Sequence, residues 1–267
     1  MNLTCRYLFG IYYDNTTHGL VSEGFIPLDN TDGPKWLHEG YPIYQYLHTN
    51  RIQPDQWFGF FSPRFQEKTG LDIKDIDRAL CEKSATADAC LFTSHFDQAA
   101  FSLNVWLQGN ALHPGLLTIS QNLAENAGYR VNLKTELSSL NENVFSHYLV
   151  ASGAFWAEWY RLTSIYFKML NLSKTLTETT TIHRGKSIPI HCFIIERIPS
   201  LIFAAGKFRG SFDSKCYEKQ CPEHSPKGML LRAMDECKKM FLHSNEEKWL
   251  QEYRFHLKKY QLFFANN

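Results

Sequence analysis

Long apolar runs are missing from this sequence: no segment approaches the ~20 consecutive apolar residues that a membrane-spanning helix needs. The opening MNLTCRYLFGIYYDN has no basic stretch followed by an apolar one, so it does not read as a secretory signal. One-signed charge is also missing. The 28 Lys and Arg nearly balance 27 Asp and Glu, for a net charge of +1, which leaves no electrostatic drive toward nucleic acid. No G-x-G-x-x-G, P-loop, H-E-x-x-H or G-x-S-x-G occurs, and dinucleotide oxidoreductases, P-loop NTPases, zincins and α/β-hydrolases recede accordingly. Neither a repeat of 20 to 50 residues nor a low-complexity linker divides the chain.

What is present is a globular composition with an unusual aromatic share: 44% hydrophobic, 21% charged and 15% Phe, Trp and Tyr. A chain of 267 residues fills one generous α/β core without staples. The seven cysteines are odd in number and scattered, which fits reduced thiols in a cytosolic setting better than a disulfide framework. Cys216, Cys221 and His224, with Cys237, are candidate zinc ligands, but their spacing is irregular for a structural site. Lys238, Lys239, Lys248, Arg254, Lys258 and Lys259 lie on amphipathic helical pattern near the C-terminus. They read as a solvated face or, alternatively, as peripheral contact with anionic lipid at the inner face of a cytoplasmic membrane.

Strands are expected over Tyr7–Tyr13, Trp57–Ser62, Ala87–Thr93 and His147–Ala151 from β-branched and aromatic runs closed by turn formers. Helical spacing covers Ile43–Asn50, the segment after Pro63 with Thr69 and Asp72 as caps, Gln98–Gly109, Leu116–Ala127 and Ala154–Met169. A further apolar helix is expected to begin around Glu196 and Arg197. The Gly, Asp, Asn and Pro-rich stretch Glu23–Pro42 reads as an irregular loop, a common place for a ligand. Strand–helix alternation predicts an α/β fold, a mostly parallel sheet flanked by helices. Residues 1–210 form the catalytic domain in this reading, and 211–267 a helical extension packed on it. Ligands of such sheets bind outside the carboxyl ends of the strands. The candidates there are Tyr12, Tyr13 and Asp14; Ser62 and Arg64; His95 and Asp97; and Ser146 with His147.

The succession YLFGIYYDN, GFFSPRFQEKTGL, ADACLFTSHFD, VFSHYLVASGAFWAEWYRLTSIYF and PIHCFIIERIPSLIFAA, over roughly residues 7 to 205, resembles bacterial GT-A-type glycosyltransferases of polysaccharide and lipopolysaccharide O-antigen assembly. The resemblance implies a GT-A-like, Rossmann-like fold. It also implies transfer of a sugar from a nucleotide-diphosphate donor, UDP-linked or otherwise, to a hydroxyl of a glycan or lipid-linked glycan. Such a reaction needs charge to offset the departing diphosphate, a base for the acceptor proton, and walls for both sugars. Many such enzymes hold Mn²⁺ or Mg²⁺ on a D-x-D motif, which this chain lacks at the end of the third strand. In its place stand His95 and Asp97 as metal ligands, or Arg64 and Lys68 as cations replacing the metal; a helix cap is the plain alternative for Asp97. Glu196, an acid inside the apolar run IIER, is the first candidate base, with an ion pair to Arg197 as its alternative role. Asp29 and Asp32 are second candidates or simple turn formers. Tyr12 or Tyr13 would stack on the nucleobase. Trp106, His113, Phe155, Trp156 and Arg197 would line the acceptor and sugar side, unless helix packing accounts for the aromatics. The same residues on a fold without the metal motif also suit a non-catalytic glycan- or nucleotide-binding protein, or a partner subunit.

Overall fold

A computed structural model of the chain describes residues 6–93, 95–216 and 225–264. In chain order the elements are β1 (Arg6–Tyr12), α1 (Asn15–His18), β2 (Ile26–Asp29), α2 (Gly40–Thr49), β3 (Trp57–Phe61), α3 (Phe65–Thr69), α4 (Ile73–Lys83), β4 (Ala89–Leu91), α5 (Phe96–Phe101), α6 (Val105–Leu112), α7 (Leu116–Asn126) and β5 (Leu149–Ser152). There follow α8 (Gly153–Leu172), α9 (Lys174–Thr177), the hairpin strands β6 (Thr180–His183) and β7 (Lys186–Pro189), α10 (His191–Ile195), α11 (Ile198–Ala204), β8 (Gly210–Phe212), α12 (Pro226–Ser244) and α13 (Lys248–Phe264).

The main sheet has six strands in the order β2-β1-β3-β5-β4-β8. β2, β1, β3, β4 and β8 share one direction, and β5 runs against both neighbours between β3 and β4. The fold is therefore α/β and mostly parallel, as the alternation predicts. β3 reads WFGFF without polar interruption because both faces are covered. Adjacent residues on a strand face opposite sides. Phe60 meets the Trp156 ring of α8 edge-on at 4.9 Å, and Phe61 packs on Phe65 of α3 at 4.3 Å. These contacts place α8 and α3 on opposite faces. α8 begins tightly: Ser152 caps it through the Phe155 N–H, and a Cβ on Gly153 would fall 2.0 Å from the Gln53 carbonyl oxygen. Only glycine allows the helix to start against that loop.

Several expectations change at element boundaries. The helix after Pro63 is two helices, because Gly70 turns left-handed at φ 69° and Asp72 begins a new capping box with Asp75. Thr69 is not the cap of that second helix; its hydroxyl donates back to the Phe65 carbonyl and accepts the Leu71 N–H. The segment Gln98–Gly109 likewise splits, since Asn104 accepts from the Trp106 and Leu107 N–H groups and caps α6. β2 and β8 are short strands where loops were expected. β8 pairs with β4 through Gly210, Ser211 and Phe212, so residue 210 lies inside a strand of the sheet. Glu196 and Arg197 sit at the junction of two short helices, α10 and α11, rather than at the start of one.

Lys238 corrects the reading of a solvated C-terminal face. It is fully buried, and its ammonium donates to the carbonyls of Ala99 at 2.6 Å and Ser102 at 3.0 Å, at the C-terminal end of α5. A cation there meets the negative end of the helix dipole. Asp235, one turn earlier, accepts from the Leu140 N–H at 2.8 Å and pairs with Lys239 at 2.9 Å. α12 is thus bolted to the α/β core by a buried polar cluster, and α13 packs along α12.

Candidate functional site

The carboxyl ends of β1, β2, β3 and β4 and the amino end of the reversed β5 converge on one edge of the sheet. A crevice of about 190 Å³ opens there, lined by Leu37, His38, Glu39 and Gly40 from the entry to α2, Lys68 from α3, Ser146 and His147 from the entry to β5, and His183, Ile188, Cys192, Phe193 and Glu196 from the hairpin and α10. Two carboxylates, three imidazoles and one ammonium thus share a small concave space. A second cavity of about 430 Å³ lies on the other side of the start of α2, lined by Leu28 to Gly33, Tyr41, Pro42, Gln45, Tyr46, Thr49 and Asn50.

Glu196 is held by both its oxygens. One accepts the Ser146 N–H at 2.5 Å, and the other lies 3.7 Å from the Arg197 guanidinium. The Ser146 N–H reaches it because Ser146 and His147 are consecutive residues in the left-handed region, at φ 57° and 54°. Each costs on the order of 1–2 kcal/mol for a residue with a Cβ, and such strain gathers at functional sites. Burial raises the Glu196 carboxyl, but Arg197, the Ser146 N–H, His147 and His95 together outweigh it and keep the acid below its ordinary value. Glu196 is therefore an anion at neutral pH. The Lys68 ammonium lies 3.4 Å from the Ser146 hydroxyl and 5.5 Å from the centre of the Tyr148 ring, whose own hydroxyl bonds Ser62 at 2.6 Å.

The remaining sequence candidates divide. Tyr12 ends β1 opposite Asp29 at the end of β2, whose carboxylate raises the phenol, while Tyr13 is pushed well above the phenol range by burial and by Glu39. Lys68 and Glu196 line the crevice, Ser62 is buried against the Tyr148 hydroxyl beside a separate small pocket, and His95 and Asp97 stand at the start of α5, with His95 feeling the charges of Glu196 and Lys68. His95 occupies the N-cap and Asp97 the first turn, so Asp97 is not the cap. Arg64 points away into an exposed pair with Glu67. Trp106, Phe155 and Trp156 are core residues with no face left for a sugar; Trp156 spends its indole N–H on the Phe58 carbonyl at 2.8 Å. Arg197 is spoken for as well, donating to Val105, Phe193 and Gln108. His113 is buried, stacked on Phe193 at 3.8 Å and bonded to Thr181 at 3.1 Å, behind the crevice wall. Asp32 lines the larger cavity with Asp29.

Glu39, His38 and His183 are site residues that the sequence reading passed over. Their signal was the irregular segment up to Pro42, which carries His38 and Glu39 just before α2; nothing local marks His183. The acids of the one D-x-D in the chain, Asp75 and Asp77, are engaged elsewhere, by Lys215 and Arg6. For a metal, His95 and Asp97 offer at most two ligands, and among the described residues no group of three His, Cys, Asp or Glu side chains is arranged to hold a metal ion. Cys221 and His224 of the zinc reading lie outside the described residues, while Cys216 and Cys237 are buried. No helix among the described residues is long and apolar enough to cross a membrane.

Four histidines, His95, His113, His147 and His191, are kept neutral chiefly by burial, His113 being lowered to about 4 with Arg197 and His183 adding to the effect and Glu196 opposing it. An unfolded imidazole takes up its proton near pH 6.5. Between that pH and the lower folded value the unfolded state binds more protons, so stability falls as pH falls. Unfolding free energy from urea titrations is expected to drop from pH 7.5 to pH 5, with about 1–2 kcal/mol from His113 after solvent screening. His113→Gln is expected to flatten that slope.

Comparison of the chain with protein-family models, with curated proteins and with solved structures finds no match.

Proposed function

We propose that the chain is a glycosyltransferase that takes a nucleotide-diphosphate sugar and transfers the sugar to a hydroxyl of a glycan or lipid-linked glycan, as in bacterial surface polysaccharide assembly. The observation that carries this reading is the crevice at the carboxyl edge of a mostly parallel sheet, which Glu196, Glu39 and Lys68 line together. Resemblance of the ordered motifs between residues 7 and 205 adds the class of reaction. In this reading Glu196 accepts the acceptor proton, and its orientation is fixed by the Ser146 N–H so that no reorganisation is needed as the proton moves. Lys68 offsets charge on the departing diphosphate, and the His38 ring can donate a hydrogen bond to it. Tyr12 and Asp29, at the ends of β1 and β2, stand where an acid of an α/β sheet takes ribose hydroxyls. The larger cavity beside them gives the nucleoside room that the crevice alone does not have. Mn²⁺ or Mg²⁺ held with His95 and Asp97 is a separable part of the expectation, and no step above passes through it.

The test is a thermal-shift screen of the full chain against UDP, GDP, CMP and dTDP sugars, each with and without Mn²⁺. A ligand at 100 times its dissociation constant adds about 2.7 kcal/mol of stability. One nucleotide family is expected to stabilise the chain, and Lys68→Ala to reduce the shift. Absence of any shift would move the protein to the non-catalytic reading.

A further inference from the structure

Helix α13 is amphipathic in a way its core contacts do not use up. Tyr253 and Tyr260 are buried, Leu257 and Phe264 pack behind them, and the Tyr253 hydroxyl donates to the Phe101 carbonyl at 2.6 Å. At 100° per residue those side chains share one face. Phe255 and Leu262 lie on the opposite face and Phe263 on its flank, and they are 51%, 66% and 64% exposed. Large apolar side chains gathered on one side of a surface helix mark an interaction site more often than scattered ones do.

Cations are interleaved with them. Lys258 and Lys259 occupy the same face, which carries one exposed acid, Glu252, and the Lys259 ammonium sits 4.3 Å from the centre of the Phe255 ring. Neither lysine makes an ion pair among the described residues, whereas Arg254 is paired with Glu247 and Lys248 with Glu246. From Lys248 to Phe263 the strip runs about 22 Å at 1.5 Å per residue. The protein as a whole is close to neutral, at +1, so this local excess is not a by-product of general basicity.

We infer that the outer face of α13 docks on an anionic lipid surface, with Phe255, Leu262 and Phe263 entering the boundary between headgroups and chains, and Lys258 and Lys259 at the phosphate level. Long lysine stems lie along apolar surface while their ammonium groups reach the headgroups. Charge decides against a second copy of the chain as the occupant. A two-fold contact uses the same patch on both copies, so it would carry two unpaired lysines from each copy into one interface, whereas anionic headgroups match both ammonium groups directly. The face uses none of the crevice residues and stands whether or not the chain transfers sugars.

The experiment is co-sedimentation of the full chain with vesicles of phosphatidylcholine alone and with 30 mol% phosphatidylglycerol, in about 0.1 M and 0.5 M NaCl. Binding is expected to the anionic vesicles and to fall several-fold at the higher salt. Lys258→Glu with Lys259→Glu is expected to weaken it by at least about 10-fold, since each lysine near such a surface contributes roughly fivefold. Phe255→Ser with Leu262→Ser and Phe263→Ser is expected to weaken it similarly, with melting temperature unchanged because these side chains are exposed. Failure to bind anionic vesicles, or binding unaltered in both variants, would overturn the assignment. So would a concentration-dependent dimer that disappears in the apolar variant while vesicle binding stays absent.

Discussion

Lys238→Met is expected to lower the unfolding free energy by about 3 kcal/mol, the scale on which breaking one partner of a buried charge cluster acts. The substitution keeps most of the stem volume and removes the ammonium. Two carbonyls at the end of α5, those of Ala99 and Ser102, lose their donor at a fully buried site, and Glu142 and Asp235 lose a neighbouring cation. Burial lowers the Lys238 ammonium to about 8 while Asp235 and Glu142 oppose the shift, so the group is charged in the neutral range where the comparison is made. For a chain of this size the loss corresponds to about 6–12 °C in melting temperature. Lys258→Met, on the exposed side of α13, supplies the contrast and should stay within about 0.5 kcal/mol. If both variants melt together, the bolt between α12 and α5 is not what the geometry makes it.

The second large effect concerns the crevice. Glu196→Gln is expected to reduce transfer from the stabilising nucleotide sugar by about 10²–10⁴-fold, the usual worth of a positioned base. Glutamine is nearly the same size and its carbonyl still accepts the Ser146 N–H, so the fold and the thermal shift with donor should persist. Loss of turnover with donor binding retained separates a chemical role from a structural one. Glu39→Gln is the control, because Glu39 shares the crevice without that fixed hydrogen bond. Full turnover in Glu196→Gln with loss in Glu39→Gln would transfer the role to Glu39.

Much of the frame was legible because burial writes itself into sequence. β1, β3, β4 and β5 are apolar runs closed by turn formers, and α7 and α8 carry helical spacing, so their positions could be read within a few residues. The edge strands β2 and β8 could not, since four and three residues at a rim carry too little pattern. Strand direction is equally silent. The alternation of side chains along β5 is the same whichever way it runs, and only its partners make it antiparallel. Glu196 was readable as an acid in an apolar run. Trp106, Phe155 and Trp156 misled because an aromatic on a helix looks the same whether it faces a ligand or a sheet. Lys238 misled for the opposite reason: its stem spacing fits an amphipathic helix, and the carbonyls that receive it lie some 136 residues away in the chain.

The backward strand also sets a schedule. β3 ends at residue 61 and its central-sheet partner β5 begins at 149, so a slot in the middle of the sheet stays open while the intervening chain is made. At roughly 5–20 residues per second a ribosome needs about 4–18 s for that stretch. During this interval Phe58 lacks its β5 neighbour Ala151, and Phe60 lacks the Trp156 ring. Nascent chains therefore carry an unbroken apolar strand without its central partner for that interval, and the crevice, whose lining runs on through Ser146 to Glu196, is completed only after that strand is sealed.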